Sequence, residues 1–174
     1  TGGGGALLLK NKKLATKARY LINQAKNNKI IYQHDEVGFN YALSNLQAAV
    51  GLAQVENFNK ILLKKKRIRI WYEKLLGKEN LYNLPDFASN NCWLNILKLK
   101  KPHNKNIFIK KVNKLSKKNI EVRPIWQLNH TQKMFKKFDR FKINTANYLY
   151  KHSICLPSST NLTYKDIKYI VKNL

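Results

Sequence analysis

From Ser44 to Gly77 the sequence leaves the chain little freedom. Ser44 and Gln47 form the S-x-x-Q pattern of a capping box, in which the hydroxyl and the Gln side chain satisfy each other's backbone N–H groups. Apolar residues then recur at helical spacing through Leu46, Ala49, Val50, Ala53, Phe58, Ile61 and Leu62. Gly77 is the natural stop, because glycine accepts the left-handed backbone that closes many helices. The spacing predicts a helix over 44–76 with a bend at Asn57 to Asn59, long enough to join two bodies. Its second half carries KKKRIR, which reads as a solvated face.

Before this helix, TGGGGALLL reads as a turn feeding a strand. Positions 12–26 place Leu14, Ala15, Ala18, Leu21 and Ile22 on one face, which predicts an amphipathic helix. The periodicity fails over NNKIIYQHDEVGFNY (27–41), as it would in an ordered working loop. After Gly77 the elements shorten. Trp93 to Leu99 and Ile120 to Arg123 read as strands, with a helix of Ile107, Val112 and Leu115 between them. Pro124 favours an extended Arg123. A helix around Asn144 to His152, a strand at Ile154 to Leu156 and a helix started by Thr163 complete a small α+β domain.

The formal charge of +25 raises the possibility of a nucleic-acid-binding module. Of the 34 basic residues, however, 29 are Lys and five Arg, whereas bidentate reading of bases and phosphates favours Arg. Abundant Lys, Asn and Ile together fit AT-rich codons, so the charge reads as solvated surface that could steer an anionic ligand inward. No run approaches the roughly 18 apolar residues of a spanning helix, so a soluble chain without a membrane partner is expected. Residue 1 is Thr, and the opening lacks the parts of a signal peptide; it reads as the middle of a longer protein. Cys92 and Cys155 form no CxxC, and His34, His103, His130 and His152 are scattered, so no metal site is expected. Two lone cysteines suit reduced core residues of a cytoplasmic protein.

Four glycines can let a backbone approach a phosphate, but no GK[ST] follows, and the tract alone reads better as a structural turn. The combination is more specific. TGGGG, then K-x-A-R-x-L, then HDEVGFNY, then SNLQAAVGLAQV resembles the DegT/DnrJ/StrS family of sugar-nucleotide aminotransferases. The likeness extends to NCWLNILKL (91–99), EVRPIWQLNH (121–130) and ICLPSSTNLT (154–163).

The resemblance implies an α/β fold class, as the carboxy-terminal part of a fold-type-I transferase dependent on pyridoxal 5'-phosphate. Residues 1–57 would end the large cofactor domain and carry a cross-dimer loop, and 58–174 would form the small α+β domain. It implies a homodimer with shared active sites, a nucleotide-sugar substrate and an amino-acid donor, expected to be glutamate. The family's Schiff-base lysine would fall just before Thr1, so no catalytic residue is assigned within the chain.

The family asparagine that reaches the neighbouring subunit's cofactor phosphate falls on Asn40, where a plain turn residue is the alternative. His34 and Asp35 lie in the same loop and could touch the substrate; Tyr41 is expected to pack. Arg123 matches an Arg-Pro near the family's substrate cavity, with an ordinary ion pair as the alternative. His130, Trp93, Asn95 and Trp126 fall in segments near the same region, and core packing suits the two tryptophans. Leu128 and Asn129 stand where the family usually has Pro-Leu, and this leaves the sugar open. A sugar dehydratase of the same family, with histidine in place of the lysine, is the alternative activity.

Overall fold

The computed structural model describes residues 1–27, 30–85 and 87–174, in two compact units, Thr1–Phe58 and Asn59–Leu174. The predicted loop over 27–41 contains Asn28 and Lys29, which lie outside the described residues.

In the first unit, α1 spans Lys12–Ile22 and α2 spans Asn45–Glu56. Asn11 caps α1, its side-chain oxygen accepting from the N–H groups of Lys13 and Leu14. The helix ends four residues before the periodicity does, because Gln24 and Ala25 adopt left-handed backbone at φ 63° and 51°. That reversal brings residues 39–42 back onto the end of α1. The N–H of Phe39 donates to Leu21 O at 2.7 Å, those of Tyr41 and Ala42 to Ile22 O at 3.0 and 3.2 Å, and Gln24 N–H donates to Phe39 O at 3.1 Å. The carbonyls left over at a helix end are thus met by a neighbouring strand-like segment. Ala25 is the only buried hydrophobic residue among the described residues of this unit.

The predicted capping box at the start of α2 is present in full. The long helix is not continuous, however: it breaks at Asn57, whose side-chain amide donates to Ala53 O at 2.9 Å and competes with the helical ladder there. The predicted strand after the glycine tract does not form either. Residues 1–10 are exposed, and among the described residues no neighbouring strand offers a ladder to this segment.

The second unit holds the core. Helix α3 (Phe58–Leu76) buries Ile68 and Tyr72, and stops at Gly77, where φ is 86° and the N–H closes on Glu73 O at 3.0 Å. A three-stranded antiparallel sheet follows, with β1 (Asn95–Lys98), β2 (Arg123–Pro124) and β3 (Ser153–Leu156) in the order β1-β3-β2. Strand β3 is central and all four of its residues are buried, which accounts for its unbroken apolar centre. Asn95 pairs with Leu156, and Arg123 pairs with Cys155.

Helix α4 (Lys105–Ser116) contributes Phe108 and Leu115, and α6 (Tyr164–Asn173) contributes Ile167 and Ile170. Helix α6 starts at a second capping box, with Thr163 N–H donating to Asp166 at 2.8 Å and Asp166 N–H returning to the Thr163 hydroxyl at 3.3 Å. Helix α5 (Asn144–Lys151) leads into β3. The strand predicted at Ile120 to Arg123 is reduced to Arg123–Pro124, because Ile120 and Val122 serve as core contacts beside α4 while only the end of the segment reaches β3. Among the described residues, no helix is long and apolar enough to cross a membrane.

Candidate functional site

Two clefts, one in each unit, contain sequence-predicted site residues. In the first unit, a cleft of about 710 Å³ is lined by the glycine tract at Gly4 and Gly5, by Arg19 of α1, and by Asn40, Tyr41 and Gln47. Asn40 lies on the clamped segment, its backbone in an antiparallel bridge with Asn23. Its side-chain amide makes no hydrogen bond among the described residues, so the two N–H donors are free.

Gly38 sets this arrangement by close approach and not by a left-handed φ. A Cβ at residue 38 would sit 2.3 Å from Ala25 N and 2.4 Å from Gln24 C, so only glycine lets the two backbones cross. Tyr41 stacks on Phe39 with ring centroids 5.1 Å apart, yet it is exposed, so it packs against one ring and not into a core.

His34 and Asp35 are not among the residues lining this cleft. The His34 ring bonds through Nδ1 to Gln24 O at 2.6 Å, where only an N–H donor satisfies the carbonyl. Asp35 is exposed, and its neighbour Glu36 pairs with Lys17.

The donors of the first cleft, a neutral amide and a guanidinium beside a glycine backbone, fit the phosphate end of a pyridoxal cofactor. No carboxylate is among the lining residues to oppose an anion.

The second unit has a cleft of about 560 Å³ between β2, the residues after it, and the end of β3. Arg123, Trp126 and Trp93 all line it, with Glu121, Cys155 and Ser158. Trp93 and Trp126 touch, centroids 5.9 Å apart and tilted by 46°. They are exposed, 61% and 63%, so the expectation of core packing for the pair does not hold.

Arg123 donates through Nε and Nη2 to Glu121 Oε1, the Nε contact at 3.0 Å. The Glu121 bond raises the guanidinium pKa above its usual value, so Arg123 stays charged. Sequence reasoning missed Glu121, although its position two residues before Arg123 in extended chain puts both side chains on one face.

His130 sits half-buried on a turn over Asn129–Thr131 and does not line this cleft. Asn95 is buried, donating to the Ser158 hydroxyl of the cleft wall at 2.9 Å, while its Oδ1 has no partner among the described residues. Cys155 is buried, and burial pushes its thiol above the usual value; Cys92 is raised in the same way. Among the described residues no three metal-ligating side chains converge.

The model of the DegT/DnrJ/EryC1/StrS aminotransferase family matches residues 1–174. The chain belongs to that family. EpsN of Bacillus subtilis (strain 168), named provisionally as a pyridoxal phosphate-dependent aminotransferase, is 35% identical over 100% of this chain and 46% of its own. The GDP-perosamine synthase of Caulobacter vibrioides is 29% identical over 100% of this chain and 48% of its own. In fold, the chain is similar to the Helicobacter pylori aminotransferase PseC, involved in the biosynthesis of pseudoaminic acid. That match has a TM-score of 0.75 and 18% identity, and covers 94% of this chain and 45% of PseC. The chain therefore spans about half the length of the relatives it matches, and over that part it has the fold of the sugar aminotransferases.

Proposed function

We propose that the chain is the carboxy-terminal portion of a pyridoxal-phosphate-dependent aminotransferase acting on a nucleotide-linked 4-keto-6-deoxy sugar. The observation that carries this reading is Asn40: its backbone is clamped to the end of α1 while its amide stays free in a cleft without carboxylates. An amide so held can be aimed at a phosphate oxygen, and in a homodimer that phosphate would belong to the cofactor of the neighbouring subunit. Bound pyridoxal phosphate supplies the electron sink for amino transfer. The lysine that holds it would come from residues preceding Thr1.

The chain's own residues bind and orient. Asn40 anchors the cofactor, and Arg123 presents a permanent charge to the nucleotide-sugar substrate. His34 and Asp35 offer polar groups on the loop that leads to Asn40, and His130 offers one on the turn that follows Trp126 in the chain. In this reading residues 1–57 end the large domain and 58–174 form the small one.

The test is amino transfer by the full-length protein from glutamate to a nucleotide-linked 4-keto-6-deoxy sugar, read by mass spectrometry of the product. Gain of an amine is expected. Loss of water from the sugar without gain of nitrogen would instead assign the dehydratase reaction, and absence of both products would overturn the reading.

A further inference from the structure

The second cleft has an asymmetric wall. Two exposed indoles, with Ile125 and Pro157, make most of it flat and apolar, while its ionic groups are Glu121 and Arg123. Those two residues are tied to each other through Glu121 Oε1, which leaves Glu121 Oε2 as a free acceptor beside the unused Nη1 donors of Arg123. An acceptor beside a donor, next to aromatic faces, complements a planar heterocycle whose edge carries a donor next to an acceptor. A pyranose fits less well, because it presents hydroxyls around its whole rim and would leave several of them against the apolar wall unpaired.

We infer that Trp93 and Trp126, with the Glu121–Arg123 pair, form a subsite for the nucleobase of a nucleoside diphosphate. The inference rests on the reading of the intact protein as a nucleotide-sugar enzyme and names which end of the substrate this cleft takes. At 5.9 Å between centroids the indoles are in contact and leave no slot between them. The base therefore stacks on an outward face as a third ring, and its edge meets Glu121 and Arg123.

The experiment is a titration of the full-length enzyme with UDP, GDP, inorganic pyrophosphate and ribose 5-phosphate, followed by tryptophan fluorescence. UDP or GDP should give saturable quenching, whereas pyrophosphate and ribose 5-phosphate, which lack a base, should not. Trp126→Leu and Trp93→Leu should each weaken nucleotide binding by roughly tenfold. Trp126→Phe should restore most of it, because a phenyl ring still stacks. Glu121→Ala should weaken it by about tenfold through loss of the edge contact. The Trp and Glu121 side chains are exposed, and a matching thermal unfolding midpoint would confirm that each variant folds.

Nucleotide binding that is unchanged in both Trp→Leu variants, or equal quenching by pyrophosphate, would overturn the subsite even if amino transfer is present. Tryptophan-dependent nucleotide binding in a protein that transfers no amine would keep the subsite and remove the proposed reaction.

Discussion

Tyr72 of α3 donates its hydroxyl to the Pro157 carbonyl at 2.9 Å from a ring with no exposed surface. Asn95 holds the neighbouring Ser158 hydroxyl at 2.9 Å, and Lys65 reaches the Ser158 carbonyl. Three side chains from two elements thus fix one short segment, and that segment is a wall of the second cleft.

Tyr72→Phe removes a donor and leaves the part-buried Pro157 carbonyl without its tyrosine partner, which should destabilise the second unit by about 0.5–1.5 kcal/mol in urea unfolding. Tyr72→Ala, which opens a cavity as well, should cost about 3–5 kcal/mol. Burial also raises the Tyr72 pKa well above its usual 10.0, so the folded state holds the proton more tightly than the unfolded one. The sign follows: the stabilisation is complete below pH 10.0 and declines as pH rises towards the folded value. Tyr72→Phe should lack this component of alkaline destabilisation; equal alkaline slopes in the two proteins would contradict it.

The capping box of α6 makes an opposite pH prediction. Bonds from the Thr163 hydroxyl and N–H hold Asp166 below its usual 3.8, so its contribution is present above that value and lost as pH falls through the lower folded value. Asp166→Asn should lower stability at neutral pH and lose its difference from wild type in acid. Thr163→Ala should cost about 1 kcal/mol at neutral pH. Unfolding curves across pH decide both.

The core cluster belongs wholly to the second unit, whereas Leu46, Val50, Leu52 and Val55 of α2 are exposed. In the 174-residue chain expressed alone, amides of 59–174 should show slow hydrogen exchange through a common opening, and those of 1–58 fast exchange or protection that depends on protein concentration. Concentration-independent protection of α2 equal to that of β3 would contradict this.

Asn40→Ala in the full-length protein should weaken pyridoxal phosphate retention about 10- to 150-fold, the cost of one hydrogen bond to a charged group. Dialysis followed by cofactor absorbance measures it. Mixed dimers pairing this variant with a subunit that lacks its own cofactor lysine should recover one competent site. Unchanged retention, or a defect without recovery, would leave Asn40 as a turn residue.

The chain alone should form no stoichiometric one-site lysine adduct with pyridoxal phosphate and should turn over no substrate. Diffuse borohydride-trapped labelling of its 29 lysines is expected and tests nothing. A saturable one-site adduct with turnover would show that a lysine within the chain does the work.

Local hydrogen-bond grammar was written in the residues themselves. The capping box at Ser44, the helix start at Thr163, the stop at Gly77, the centres of α4 and α5 and the apolar run of β3 lie where spacing put them, because each rests on groups within a few residues of one another. Contacts between distant residues decided the rest. Gly38 is legible as a glycine, yet its reason is the backbone of Gln24 and Ala25 crossing it. Ala6 to Leu9 have strand composition but no ladder partner among the described residues, and a strand exists only through its neighbour. Trp93 and Trp126, 33 residues apart, read as core and meet instead on an open cleft wall with Glu121 and Arg123. Periodicity records which side of an element is apolar; which surface finally covers that side depends on packing across the chain.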